Sequence, residues 1–252
     1  MNLLLLAGGE VDARGRAELP ADDRRARHVQ HVLRALPGQS LRAGLLDGPL
    51  GTAVVERSDA RGIALSCSFD APAPEPRDVL VLAIPRPKVL LRCVEAAAAL
   101  GFARIALVRT WRTDRSHVEA SALARDALRA RAILGLEQAQ RTRVPRIEVF
   151  ARFRPFVEDD LEAWCAAGAR LLADPSAADP LTGCRLPDAG ITLAIGPERG
   201  FTPYEVEQFG TRGFARVHAG RHPLRVETAL AFVAGHVAAL RARDACTGDV
   251  PS

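Results

Sequence analysis

Strand-like apolar runs alternate with helical stretches from residue 79 to residue 243, and this alternation constrains the fold more than any other feature of the chain. The strand-like runs are 79–84, 104–108, 146–150, 169–173, 191–195 and 215–218. The helical stretches between and after them are 88–100, 116–140, 157–167, 203–211 and 227–243. An α/β pattern of this kind predicts a parallel sheet flanked by helices on both faces. Ligands of such sheets bind beyond the carboxyl ends of the strands, so chemistry is expected in the loops that follow them.

The first part of the chain reads differently. Pro72, Pro74 and Pro76 fall within five positions, and 73–78 is expected to link a domain at 1–72 to one at 79–246. Before the linker, short apolar runs at 3–7, 40–46, 52–55 and 62–67 are separated by turn signals such as Asp47-Gly48 and Arg61-Gly62. One helical stretch, 22–36, places Val29, Val32, Leu33 and Leu36 on a common face. A small β-barrel carrying one helix fits this pattern.

Composition removes several classes. Of 252 residues, 48% are apolar and 25% charged, the balance of a folded globular chain. No apolar run approaches the roughly 20 residues that a membrane-spanning helix needs. The stretch from Met1 to Ala7 has no basic leader and is soon followed by Glu10 and Asp12, so no secretory signal is expected and a cytoplasmic location is. Cys67, Cys93, Cys165, Cys184 and Cys246 are scattered and never spaced C-x-x-C, which argues against a disulfide framework or a zinc site. His28 with His31, and His218 with His222, lack a third ligand, and no metal is expected.

The net charge of +4 is unevenly spread. Residues 1–72 carry nine arginines and nine acids, 73–150 carry fourteen basic groups against eight acids, and 151–252 carry eleven against thirteen. The positive excess therefore lies in the middle third, and all basic residues but Lys88 are arginine. A band of arginine is the electrostatic footprint of a nucleic-acid binder, because the planar guanidinium matches phosphate oxygens.

Two loops near the C-terminus carry the chemistry. After the run 191–195 comes Gly196-Pro197-Glu198-Arg199-Gly200, a tight loop where backbone can approach a ligand. Thr202, Pro203 and Glu205 then read as a helix start, with a capping threonine, a proline in the first position and a capping-box glutamate. After the run 215–218, two arginines, a histidine and a glutamate crowd into Ala219-Gly220-Arg221-His222-Pro223-Leu224-Arg225-Val226-Glu227-Thr228-Ala229, against the start of the last helix. The unsatisfied N–H groups and dipole of that helix end suit polar ligand atoms, and Glu227 and Thr228 could equally serve as its caps. Neither a dinucleotide-binding glycine fingerprint nor a phosphate-binding Walker loop occurs.

Ile195 to Phe201, then Gly220, then Leu224 to Ala229 resemble the C-terminal signature of the RsmE family, small-subunit ribosomal RNA methyltransferases of the trefoil-knotted SPOUT class. The resemblance runs through nearly the whole chain. Arg27-His28, Val32-Leu33-Arg34 and Pro37-Gly38 are similar to that family's PUA-like barrel; Arg86-Pro87-Lys88, Ala99-Leu100-Gly101, Arg112 with Ser116, and Glu137-Gln138 with Arg141 and Pro145 match in the middle. It implies an α/β fold: a SPOUT-type trefoil-knotted parallel sheet flanked by helices, preceded by a small PUA-like RNA-binding β-barrel. It also implies a homodimer that uses S-adenosylmethionine to methylate N3 of a uridine in 16S rRNA of the small ribosomal subunit. Mapped here, the cofactor would touch Ile195, Gly196, Pro197, Glu198, Gly200, Ala219, Gly220, Leu224, Arg225, Glu227, Thr228 and Ala229. The chain departs from the family pattern at Arg199, where glycine is usual, and at Arg221, His222 and Pro223. Pro223 lacks a backbone donor. These departures motivate a second reading, a non-catalytic RNA-binding or ribosome-assembly factor; a third is a related SPOUT methyltransferase acting on a different RNA, at a ribose 2′-hydroxyl or on transfer RNA.

Methyl transfer needs an in-line nucleophile, and uracil N3 becomes a good one only on losing its proton. Arg225 is therefore expected to stabilise the uracil anion and Glu227 to accept or orient, with His222 as an alternative base. Arg24, Arg25, His28 and Arg34 in the first domain, and Arg86, Lys88, Arg112, Arg115, Arg141 and Arg143 in the middle, are the expected RNA contacts. Because N3 is hidden in a base pair, the target uridine would be flipped out of its stack.

Overall fold

The computed structural model describes residues 1–118, 120–186 and 189–247. The frayed tail expected at 247–252 falls, apart from its first residue, outside them. The chain divides into two compact units: Met1–Glu75 with Ile133–Val144, and Pro76–Ala132 with the chain from Pro145 onward.

The first unit is a five-stranded sheet of β1 (Leu4–Leu6), β2 (Arg16–Pro20), β3 (Ser40–Leu45), β4 (Leu50–Asp59) and β5 (Gly62–Ala71). Its order is β1-β3-β4-β5-β2, with β1 parallel to β3 and the other pairs antiparallel. Inward-facing Leu4, Leu6, Leu19, Val55, Ile63 and Leu65 form its core with Val29. Gly62 closes the β4–β5 turn at φ 124°, and a Cβ there would lie 2.1 Å from the Leu19 carbonyl oxygen, so no other residue fits.

The helix expected at 22–36 is shorter than that. It comprises α1 (Arg24–Arg27), capped by Asp23, and a π turn over His28–Val32. The wider turn slips the apolar register, and Arg34 then adopts φ 51° and ends the helical path. Only Val29 of the expected face is buried; Val32, Leu33 and Leu36 are exposed.

The second unit holds β6 (Asp78–Ala83), β7 (Phe102–Val108), β8 (Arg146–Phe150), β9 (Arg170–Ala173), β10 (Asp179–Pro180), β11 (Thr192–Ile195) and β12 (Ala215–His218). All pair in parallel in the order β10-β12-β9-β11-β6-β7-β8. Strands covered on both faces must be apolar throughout, which is why β11 is buried at all four positions and β6 at all but its first. The helices are α2 (Pro87–Leu100), α3 (Arg115–Val118), α4 (Arg125–Ala139), α5 (Phe153–Pro155), α6 (Leu161–Trp164), α7 (Pro203–Thr211) and α8 (Val226–Thr247). The expected helix 116–140 is thus broken, a 3-10 turn at Ser121–Leu123 separating α3 from α4. The stretch expected at 157–167 begins earlier, at Phe153, runs through a π turn at Phe156–Asp160 and ends at Trp164.

β11 enters late in the sequence yet lies between β9 and β6, and α8 returns to pack on α2 and β11. Asp78, at the start of β6, fastens this crossing. Its carboxylate accepts from Ile191 N–H at 2.9 Å and from both terminal nitrogens of Arg241 at 2.7 Å. Residues 133–144 complete the first unit: Glu137, on the last turns of α4, accepts two bonds from Arg24 at 2.6 and 2.7 Å, and Thr142 Oγ1 donates to Gly48 O at 2.6 Å.

Candidate active site

The carboxyl ends of β9, β11 and β12 open into one pocket of about 830 Å³. Three chain segments wall it: 173–176 after β9, 195–201 after β11, and 218–224 after β12, with the first turns of α7 and α8 behind them.

The loop after β11 is fastened through its backbone and through Phe201. Gly200 N–H donates to Pro197 O at 2.7 Å, and Gly200 itself sits at φ 68°. A Cβ on Gly196 would stand 3.1 Å from the Phe201 ring and from Phe201 N, closer than ordinary packing permits. The Phe201 ring packs edge-on against Phe209 of α7, centroids 5.1 Å apart. Thr202 and Glu205 form the expected capping box, and Pro203 occupies the first helical turn. Glu205 does more than cap. Only 2% exposed, its carboxylate accepts from Thr202 N–H at 2.7 Å, Thr202 Oγ1 at 3.0 Å and Trp111 N–H at 2.7 Å. Next to Trp111, the Arg112 guanidinium donates to the carbonyl oxygen of Arg199 and reaches those of Gly200 and Phe201 at 3.4 Å.

The loop after β12 is exposed along most of its length. Arg221, His222, Pro223, Leu224 and Arg225 are all exposed. Among the described residues, the side chains of Arg221, His222 and Arg225 have no hydrogen-bond or ion-pair partner, and Ala229 N–H donates to Arg225 O at 2.8 Å as α8 begins.

The wall after β9 was not among the residues expected from the sequence. Asp174 accepts from Ser176 N–H and Oγ at 2.8 Å and from Arg216 Nε at 2.7 Å. Burial alone would raise its carboxyl pKa, but the Ser176 and Arg216 bonds outweigh that and hold it below the usual value. A signal was present: Asp174-Pro175 follows a strand end, where α/β sheets place ligands. His218, at the end of β12, also lines the pocket, and both its ring nitrogens are screened from solvent without a partner.

Of the residues expected to touch a cofactor, Ile195, Gly196, Pro197, Glu198, Gly200, Ala219, Gly220, Leu224 and Ala229 line the pocket. Arg225, Glu227 and Thr228 do not. Helical periodicity explains part of this: α8 turns Val226, Ala229 and Val233 to the pocket, which points Glu227 and Thr228 elsewhere. Glu227 stands 3.7 Å from Arg92 of α2. It lies close enough to the buried Cys93 thiol to add to the effect of burial, and the thiol pKa is pushed up to about 12. Arg199 and His222, where the sequence departs from the family pattern, both line the pocket, as does Pro223.

The expected RNA contacts fall into two kinds. Arg24 is bound to Glu137, a carboxylate 2% exposed, and Arg25 to Glu10 and Asp23 at 2.6 and 2.7 Å and to Leu5 O at 2.8 Å. The Arg25 contacts hold the Glu10 and Asp23 carboxyls below their ordinary values. Arg143 donates to Asp47 O and pairs with Glu75 at 2.5 Å. His28 is half-buried, and burial lowers its pKa; Arg141 is half-buried as well. By contrast Arg34, Arg86, Lys88, Arg112 and Arg115 are exposed.

Residues 73–238 match the RNA methyltransferase domain family. The ribosomal RNA small subunit methyltransferase E of Treponema pallidum is 30% identical over 91% of this chain and 87% of its own. Its Mycobacterium tuberculosis counterpart is 27% identical over 88% and 87%. Among solved structures, the ribosomal RNA small subunit methyltransferase E of Neisseria gonorrhoeae, bound to S-adenosyl methionine, superposes with a TM-score of 0.74, at 24% identity over 95% of this chain and 98% of that one. A Legionella pneumophila methyltransferase in complex with SAM gives 0.73, at 23% over 96% and 97%. The SPOUT-type α/β fold with a separate small β domain, expected from the resemblance, is the fold these structures share with this chain.

Proposed function

This chain belongs to the ribosomal RNA small subunit methyltransferase E family of RNA methyltransferases, and on that premise we propose that it methylates N3 of a uridine in 16S rRNA of the small subunit, using S-adenosylmethionine. The observation that carries the reading is the pocket at three adjacent parallel strand ends, lined by the very loop, Ile195 to Phe201, whose sequence is similar to the family signature.

The pocket fits the cofactor by size and chemistry. Its volume of about 830 Å³ suits a drug-sized ligand. Ile195, Leu224, Val226 and Val233 would supply apolar contacts to an adenine ring, and the His218 ring nitrogens, without a partner among the described residues, would be available to the cofactor's polar atoms. Gly196 keeps the backbone bare where a Cβ would crowd the loop. When bound, S-adenosylmethionine supplies a methyl group on a sulfonium, which a nucleophile displaces.

The chain's own residues orient and neutralise. Arg225, exposed and without a carboxylate partner among the described residues, supplies positive charge for a uracil whose N3 has lost its proton. Glu227 lies in the first turn of α8 beside Arg92, a position suited to ordering the loop that carries Arg225. His222 lines the pocket and is the alternative proton acceptor. The five-stranded unit would act as a PUA-like RNA-binding domain, with Arg34 among its exposed cations. The enzyme would work as a homodimer in the cytoplasm; no helix of the described residues is long and apolar enough to cross a membrane.

The test is transfer of a labelled methyl group to small ribosomal subunits that lack the modification, with the product mapped. Label at N3 of one 16S uridine is the expected result. Cofactor binding with label elsewhere would replace the substrate, and absence of both binding and label would favour the non-catalytic factor.

A further inference from the structure

We propose that Trp111 is a base-stacking residue at the rim of this pocket, holding an unpaired nucleotide that neighbours the methylated uridine. The proposal rests on the RNA-methylating reading above and adds to it the residue that grips the substrate strand.

Trp111 is 86% exposed, the most exposed of the chain's large apolar side chains among the described residues. Leaving an indole in water forfeits one of the largest burial gains any side chain can make. The chain has few aromatics, 5% of its residues, and the other tryptophan, Trp164, is packed in the core at 5% exposure. Exposure of Trp111 is not the looseness of a floppy loop. It sits at the tip of a tight turn whose flanks, Thr110 and Thr113, are buried, with their hydroxyls 3.0 Å apart and Thr113 N–H bonded to Thr110 O at 3.2 Å. Its own N–H is pinned at 2.7 Å by the buried Glu205 carboxylate. The backbone is thus locked while the ring is left bare, which is the arrangement of a contact made with something outside the chain.

Its neighbourhood says what that something is. Arg112 lines the pocket and binds the carbonyls of its fastened loop, so Trp111 stands at the pocket's edge. Pro203 and Glu207 line the pocket on either side of Glu205, and half-exposed Tyr204 lies beside them. Along the chain the nearest cations are Arg112, Arg109 and Arg115, all exposed, and Arg112 reaches across to Arg199. Of the nearby acids, Asp114 is turned onto Ser116 at 2.7 and 2.9 Å, Glu205 is committed to Trp111 and Thr202, and Glu207 lines the pocket. A flat π face set among guanidinium groups matches a nucleotide, with base on ring and phosphate on arginine. An enzyme that needs its target base unstacked also needs a surface to receive the exposed neighbour.

The two tryptophans make the test direct, because solvent-accessible fluorescence comes from Trp111 alone. Titration of the full-length protein with an unstructured oligouridylate is expected to quench that fluorescence and to protect it from acrylamide. In methyl transfer to unmodified small subunits, Trp111→Ala is expected to raise KM for the subunit roughly tenfold or more, with cofactor affinity within about twofold of wild type. Trp111→Phe keeps a stacking face and should restore most of the loss. An unchanged KM in Trp111→Ala overturns the proposal. So does a loss of self-association in that variant at unchanged oligouridylate affinity, which would assign the ring to a second copy of the chain. If wild-type protein methylates no subunit, the functional reading fails, and the fluorescence titration still decides for or against stacking by itself.

Discussion

The two loops of the pocket follow neighbouring strands, present glycines at similar places and meet the same cavity, yet they are built in opposite ways. The loop after β11 is tied down by Glu205, by Arg112 and by the Phe201 ring. The loop after β12 leaves Arg221, His222 and Arg225 exposed. A site that binds a cofactor and then acts on a large polymer has use for both: a rigid surface that is shaped before binding, and cations that are still uncommitted when the substrate arrives. The difference teaches that preorganisation here is local to one loop rather than spread over the pocket.

The strongest way to break that contrast is Glu205→Ala. It strips three donors of their acceptor in a part-buried setting, where each unmade bond costs about 1 kcal/mol, so a loss of about 3 kcal/mol is expected. Thermal melting should show a fall of about 5–10 °C. Arg221→Ala, in the loose loop, should leave the melting temperature unmoved. Equal falls in the two variants would refute the division into a fastened and a loose loop.

Function should divide the other way. Arg225→Ala is expected to lower the rate of methyl transfer about a hundredfold, as loss of a group that stabilises developing charge does, while stability and cofactor affinity barely change. Parallel losses in cofactor affinity and rate would make Arg225 a cofactor ligand instead. A smaller effect separates the glycines. Gly196→Ala drives a Cβ to 3.1 Å from Phe201, whereas at Gly220 the nearest atom, on Phe232, is 3.7 Å away. Cofactor affinity measured by calorimetry should fall about tenfold in Gly196→Ala and stay within about twofold in Gly220→Ala.

Much of this was legible in the sequence, for physical reasons that also mark where reading stopped. Parallel strands buried on both faces leave unbroken apolar runs, so β6, β7 and β11 were visible as such. β2 offers only Ala17 and Leu19 as inward residues and β10 is two residues long, too little pattern to find. The capping box at Thr202 to Glu205 was legible because its chemistry is local, but Glu205's bond to Trp111 spans 94 residues and was not. The same limit hid the partners of the arginines. Arg24 is neutralised by Glu137, 113 positions away, whereas Arg225 has no such partner among the described residues, and the local sequence presents the two alike. The π turn at His28–Val32 broke the helical periodicity that put Val32 and Leu36 on a common face with Val29, and both are exposed.

The smallest expected effect concerns the pocket's third wall and runs against the usual sign of a mutation. His218 presents two screened ring nitrogens without a partner, so the protein bears a desolvation cost at this position until a ligand meets it. His218→Leu removes that cost and keeps a side chain of similar bulk, and unliganded protein is expected to gain about 1 kcal/mol, or a few degrees in melting temperature. The gain should reverse on binding. The rise in melting temperature produced by saturating S-adenosylmethionine should be smaller in the variant than in wild type, because the variant has nothing to offer the ligand at that place. An unliganded variant that melts lower, with its ligand-induced rise intact, would show that the His218 ring is a packing element and that the polar contacts of this pocket lie with the fastened loop alone.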